Sequence, residues 1–167
     1  FRRVLFRSYL GSFARMGIFT AKITGEISTV ALNDAPLNDF GATPSITNSG
    51  EVVFYATRVS AGSLIGSGIY IGDGTGFSDV IELDATWGIA VVADVNSSGK
   101  VTGLLVNTAK DSFIYNGEIG VYVGETSEGS PFQSLNSVPS INDRGTIAFA
   151  ATLISDDSQV VKIHQVV

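Results

Sequence analysis

Apolar and polar residues alternate along much of this chain, and short polar turns that end in glycine interrupt the alternation. Val52, Phe54 and Ala56 fall on one face of an extended segment, with Val53, Tyr55 and Thr57 on the other. Further on, Ile147, Phe149, Ala151 and Leu153 oppose Ala148, Ala150 and Thr152. Both faces are apolar or small, so these segments are expected to be strands lying between two layers rather than strands with one wet face. No window sustains a helical period.

The turns share a phrase. It reads Ile46-Thr47-Asn48-Ser49-Gly50-Glu51-Val52-Val53-Phe54, then Val95-Asn96-Ser97-Ser98-Gly99-Lys100-Val101-Thr102-Gly103, then Ile141-Asn142-Asp143-Arg144-Gly145-Thr146-Ile147-Ala148-Phe149. Asn at the first turn position can bond the backbone two residues on, and Gly at the fourth enters the left-handed region without a Cβ penalty. Asn96 with Gly99 and Asn142 with Gly145 carry this pair; the first phrase keeps Gly50 and has Thr47 in place of Asn. A second marker, Gly17-Ile18-Phe19, Gly68-Ile69-Tyr70 and Gly120-Val121-Tyr122, runs in step. Together they give a period of about 46 to 52 residues.

Between the first two turns the pattern predicts strands over residues 67–72, 79–83 and 89–94, in addition to the strand after the turn. Residues 17–23 with 27–32, and 120–125 with 131–135, fit the same register, and a final strand is predicted over 159–166. Four short antiparallel strands per period of about 45 to 50 residues is the measure of a β-propeller blade. The expected fold is therefore all-β, a propeller-like array of roughly three four-stranded repeats and a fragment of a longer chain, with residues 9–167 as one repeat domain. A β-sandwich built from duplicated hairpins is the alternative.

Composition agrees with strands and narrows the chemistry. The 167 residues are 44% apolar and 16% charged, with nineteen glycines and ten phenylalanines. There is no cysteine, which removes disulfides, thiolate metal sites and cysteine nucleophiles. The formal charge of −6 argues against nucleic-acid and anionic-membrane partners, which need clustered Lys and Arg. No apolar run reaches the roughly 18 residues of a membrane span, and no signal-peptide pattern is present. Phe1-Arg2-Arg3-Val4-Leu5-Phe6-Arg7-Ser8 resembles a translated sequencing-library adapter, so the natural chain is expected to begin near Tyr9. Without Arg2, Arg3 and Arg7, three cations fewer, the charge becomes −9.

The pattern Asn142-x-x-Gly145-x-x-Ala148-Phe149, with Gly-Ile-Tyr and Gly-Asp-Gly elsewhere, resembles the NxxGxxAF tandem repeats of bacterial proteins that carry assorted surface anchors. The middle phrase, Val95 through Gly103, is also similar to the HAF-type extracellular repeat. The likeness spans nearly all of residues 9–167; the first phrase departs at Thr47 and Val53, and the second at Thr102-Gly103. The resemblance implies a secreted or cell-surface bacterial protein, and it brings no catalytic residues with it.

Candidate chemistry is sparse. His164 is the single histidine and has no second His or Cys for zinc. Gly72-Asp73-Gly74-Thr75-Gly76 looks like a phosphate loop but lacks the Lys-Ser/Thr and the following helix, so it reads as a turn. Glu82 with Asp84, and Asp156 with Asp157, are the nearest carboxylate pairs for glycosidase work, although such pairs normally come from different strands. Asp73, Asp79 and Asp84 are weak calcium candidates, with no EF-hand spacing; no other cofactor is implied. For binding, Trp87, Tyr70 and Tyr122, with Tyr115, are the aromatics that would suit a carbohydrate or a protein partner, their alternative role being core packing. The leading expectation is a non-enzymatic scaffold, adhesion or binding module. A carbohydrate-active propeller enzyme and a structural surface-layer element are the alternatives.

Overall fold

A computed structural model of the chain describes residues 2–3, 16–41, 43–84, 86–116, 122–135 and 138–154. The described residues are all-β, in sixteen strands: β1 (Arg2–Arg3), β2 (Gly17–Ala21), β3 (Ile27–Leu32), β4 (Leu37–Phe40), β5 (Ser45–Ile46), β6 (Val52–Ser60), β7 (Ser63–Gly72), β8 (Phe77–Leu83), β9 (Trp87–Val95), β10 (Val101–Asn107), β11 (Ser112–Asn116), β12 (Tyr122–Glu125), β13 (Phe132–Leu135), β14 (Ser140–Ile141), β15 (Ile147–Ala148) and β16 (Ala151–Leu153). Every pairing is antiparallel. The chain divides into two compact units, Phe1–Ala85 and Thr86–Val167.

In the first unit β4 and β5 lie end to end along β6, and the order β4-β6-β7-β8 makes a meander. A smaller sheet, β1-β2-β3, shares its core: Ile18, Val30 and Ala31 cluster with Leu37, Val52, Phe54, Ala56 and Tyr70. In the second unit β9-β10-β11-β12 form a meander, and β13 with β16 and β14 with β15 form a hairpin. Here Ile114, Leu104 and Val123 cluster with Ile141, Ile147, Phe149 and Ala151. In both units, then, the face that carries the first apolar residue after a polar turn joins the core of the sheet preceding it in sequence.

The alternation of Val52 through Ala56 has the structure it calls for. Val52, Val53, Phe54 and Ala56 are all buried, so both faces of the middle of β6 are covered. The three polar turns are closed by the same backbone bonds. Thr47 N donates to Glu51 O at 2.8 Å, Asn96 N to Lys100 O at 3.0 Å and Asn142 N to Thr146 O at 3.1 Å. Gly50, Gly99 and Gly145 hold φ of 94°, 81° and 80°, the left-handed region where a Cβ is penalised. Asn96 Oδ1 accepts from Ser98 N and Lys100 N, and Asn142 Oδ1 from Arg144 N and Thr146 N. Thr47 Oγ1 accepts one backbone N–H of its turn, from Glu51, and also bonds the Ser49 hydroxyl at 2.7 Å.

Two details differ from the sequence reading. The sheets do not begin at the turns: each meander takes in the strand before the turn as well as the strands after it, and the break falls between β8 and β9. The Gly-x-aromatic marker also shifts. Tyr70 lies opposite Phe54, the third residue after the first turn's bridging Glu51, and Tyr115 lies opposite Gly103, so Phe113-Ile114-Tyr115 takes the place of Gly68-Ile69-Tyr70 in the second meander. Gly120 and Val121 of the expected marker lie outside the described residues, as does the expected strand over 159–166. Where the glycine is present its role is steric. A Cβ on Gly68 would meet Tyr70 Oη at 3.0 Å and Ile81 O at 2.6 Å, and one on Gly17 would meet the Phe19 ring at 2.9 Å, so in both cases the ring two residues on folds back over the bare Cα.

Candidate functional site

Two groupings of side chains stand out, one aromatic and one polar. Trp87, the first residue of β9, packs edge-on against Phe113 with ring centroids 5.5 Å apart and lies 6.2 Å from Tyr122 at the start of β12. Phe113 and Tyr122 are 4.8 Å apart. Phe113 is buried, and Trp87 and Tyr122 are half-buried. The cluster forms across the sheet: β9 and β11 flank β10, and Tyr122 stands on β12 opposite Tyr115, two residues along β11 from Phe113. The structure thus brings together two of the four aromatics named for binding, Trp87 and Tyr122.

Tyr70 does not join them. It is fully buried in the other unit, in a row of rings that crosses one sheet: Phe40 to Phe54 at 5.8 Å, Phe54 to Tyr70 at 5.8 Å, Tyr70 to Phe77 at 5.6 Å. A ring with no exposed surface presents no platform, so its role is core packing. Burial pushes the Tyr70 phenol up to about 12, with the nearby Arg58 guanidinium pulling the other way. Among the described residues its hydroxyl has no hydrogen-bond partner, nor has Arg58 Nε. Tyr115 is likewise buried, and its carbonyl accepts the Thr102 hydroxyl at 2.8 Å.

The aspartates named for calcium are not gathered. Asp73 bends back on its own turn, accepting from Thr75 N and Thr75 Oγ1 at 2.8 Å each, bonds that hold its carboxyl below the usual carboxylate range. Asp79 sits on β8 opposite Tyr70, and Asp84 follows the end of that strand. Among the described residues no group of three or more His, Cys, Asp or Glu stands close enough to hold a metal ion. Glu82 pairs with Arg58 at 3.5 Å from an exposed position. His164, Asp156 and Asp157 lie outside the described residues.

The polar grouping was not foreseen from sequence. In the second unit one turn is docked on the next. Asn96 Nδ2 donates to Asn142 O at 3.2 Å, Ser97 N donates to Asp143 Oδ1 at 2.9 Å, and Ile141 N donates to Asp94 Oδ2 at 3.3 Å. The Ser97 backbone N–H, and then its hydroxyl, hold the Asp143 carboxyl below its ordinary range. The partners are 46 or 47 residues apart, one period of the phrase. The signal available in sequence was the Asp143 carboxylate at the second turn position of the third phrase, where the second phrase has Ser97.

Compared with protein-family models, curated proteins and solved structures, the chain matches none of them.

Proposed function

We propose that this chain is a non-enzymatic scaffold module, a stretch of a propeller-like β-repeat array of a secreted or cell-surface bacterial protein, with a ligand-facing aromatic corner at Trp87 and Tyr122. One observation carries the reading: the polar side chains of the turn phrase are spent on structure. Asn96 and Asn142 brace their own turns through Oδ1, and Asn96 Nδ2, Asp94 and Asp143 tie one turn to the next. Residues used this way make consecutive repeats stack in register, as repeat arrays do, and they are not free to act on a substrate.

The aromatic corner supplies what a scaffold could present. Half-exposed Trp and Tyr offer apolar area with a polar edge, which suits a sugar ring or an extended peptide. Trp87 is the single tryptophan, so intrinsic fluorescence reports on this corner alone. The test is a titration with a panel of soluble oligosaccharides, followed by emission and by reducing-end assay of the same samples. The expected result is a saturable change in emission, abolished in Trp87→Phe by loss of the reporter and weakened in Tyr122→Ala, with no release of new reducing ends. Steady release of product would overturn the non-enzymatic reading and favour a carbohydrate-active enzyme.

A further inference from the structure

Two buried polar atoms of the first unit are not used by its fold. Tyr70 Oη and Arg58 Nε are both shielded from solvent, and neither has a hydrogen-bond partner among the described residues. Buried polar groups are otherwise almost always paired. The two stand on one face of the sheet. Along β7, Gly66, Gly68 and Tyr70 point the same way, and Arg58 of β6 lies opposite Gly66. The Tyr70 ring folds back along its own strand, its hydroxyl 3.0 Å from where a Cβ of Gly68 would be. Burial raises the pKa of that phenol, and the Arg58 guanidinium is near enough to oppose the rise.

The backbone beside the phenol is open. Gly66 is half-buried, and a Cβ there would meet only Leu83 O, at 3.8 Å, an ordinary contact. Its backbone lies outside the left-handed region. Gly66 is therefore bare for neither of the reasons that hold Gly68 and the turn glycines, and it leaves a floor between the guanidinium and the phenol.

Charge selects what rests on that floor. Glu82 lies opposite Gly68 and Asp79 opposite Tyr70, and Arg58 Nη1 stands 3.5 Å from Glu82 Oε1. One guanidinium among two carboxylates disfavours a free anion, the usual partner of an arginine fork. A neutral oxygen acceptor suits Arg58 Nε, and an O–H beside it suits the Glu82 carboxylate, whose side chain is 73% exposed. Two adjacent hydroxyls supply both.

We infer that this face is a binding site for a neutral polyol, a sugar ring that lays two adjacent hydroxyls over Gly66. One oxygen accepts from Arg58 Nε and bonds the Tyr70 hydroxyl, and the next hydroxyl donates to Glu82. The site lies wholly within the first unit and is independent of the corner at Trp87 and Tyr122 in the second.

Saturation-transfer NMR on the full chain reads the binding, with methyl α-glucopyranoside, myo-inositol and, as the anion, acetate as the probes. Saturable transfer is expected from at least one of the two polyols and none from acetate. Tyr70→Phe keeps the ring and removes the hydroxyl, so affinity is expected to fall about tenfold, the loss of one bond. Gly66→Ala puts a methyl on the floor and is expected to weaken binding at least as much. Neither variant disturbs the packing, and unliganded thermal midpoints at or above that of the wild type check this. Trp87→Phe combined with Tyr122→Ala is expected to bind these probes as the wild type does. Absence of transfer from both polyols would overturn the inference and leave water as the partner of the phenol and guanidinium. Preferential binding of acetate would overturn it in favour of a carboxylate ligand. Polyol binding that ignores both Tyr70→Phe and Gly66→Ala, or that is lost in the Trp87 and Tyr122 double variant, would place the ligand elsewhere and overturn it too.

Discussion

Lys110 holds a φ of 78°, a conformation that costs an L-residue about 1 to 2 kcal/mol. It sits in the turn after β10, where Asn107 N donates to Asp111 O and Lys110 N to Asn107 O, the same closure that Gly50, Gly99 and Gly145 complete in the three phrase turns. Lys110→Gly removes the strain and adds unfolded-state freedom worth up to about 1 kcal/mol. A net gain of about 0.5 to 1 kcal/mol is expected, read as a higher urea midpoint with an unchanged slope. Tyr70 poses the opposite question. Its ring fills the core and covers Gly68, but its buried hydroxyl has no partner among the described residues, and an unpaired buried group costs about 1 to 3 kcal/mol. Tyr70→Phe keeps the ring and removes the cost, so it is expected to be neutral or stabilising, where truncation of a core ring normally destabilises. The phenol is also linked to pH. Its folded pKa of about 12 exceeds the ordinary value of 10, so the neutral form is the one the fold prefers. The corresponding stability is complete below pH 10 and is lost as pH rises from 10 toward 12. A stability profile across that window should slope downward in the wild type and lose that component in Tyr70→Phe; equal slopes would show that the phenol is solvated in the folded state.

Elements were legible in proportion to how local their causes are. The turns at Gly50, Gly99 and Gly145 follow from Asn, Thr and Gly at fixed offsets, and β6, β8 and β9 follow from alternation beside them. The strands at Leu37–Phe40 and Ser112–Asn116 did not show: the first is short and acidic, and the second follows a turn whose glycine position is held by a lysine. Trp87 and Tyr122 were recognisable as candidates from residue type, but their meeting at Phe113 depends on strand order, which alternation does not encode. Docking of one turn on the next was invisible for the same reason, since it joins residues a full period apart. That element has a pH signature. Asp143 is held below its ordinary 3.8 by Ser97, so the interaction is present above about pH 3.8 and is lost as pH falls through the depressed folded value. Asp143→Asn retains an oxygen for Ser97 but no charge. Its thermal midpoint is expected to lie below that of the wild type near neutrality and to converge with it once pH has fallen through that depressed folded value. Parallel curves down to that pH would remove Asp143 from the account of why the turns stack.

At the scale of the whole molecule the charge and the apolar surface act together. A net charge of −6 keeps copies apart near neutral pH, and that repulsion vanishes near the isoelectric point of about 4.6. Apolar surface does not titrate. Among the described residues, two large exposed apolar side chains adjoin in sequence at the tip of the β6–β7 hairpin, where Leu64 is 67% and Ile65 58% exposed. That tip runs past its neighbours: β4 pairs with β6 only as far as Arg58, and β8 pairs with β7 only from Ser67 onward. The two residues between them therefore carry unpaired strand edges as well as apolar side chains, the combination that invites edge-to-edge association. Turbidity should accordingly peak near pH 4.6, and Leu64→Ser with Ile65→Ser should lower the peak while leaving the thermal midpoint within about 0.5 kcal/mol equivalent of the wild type, since exposed side chains contribute little to folding.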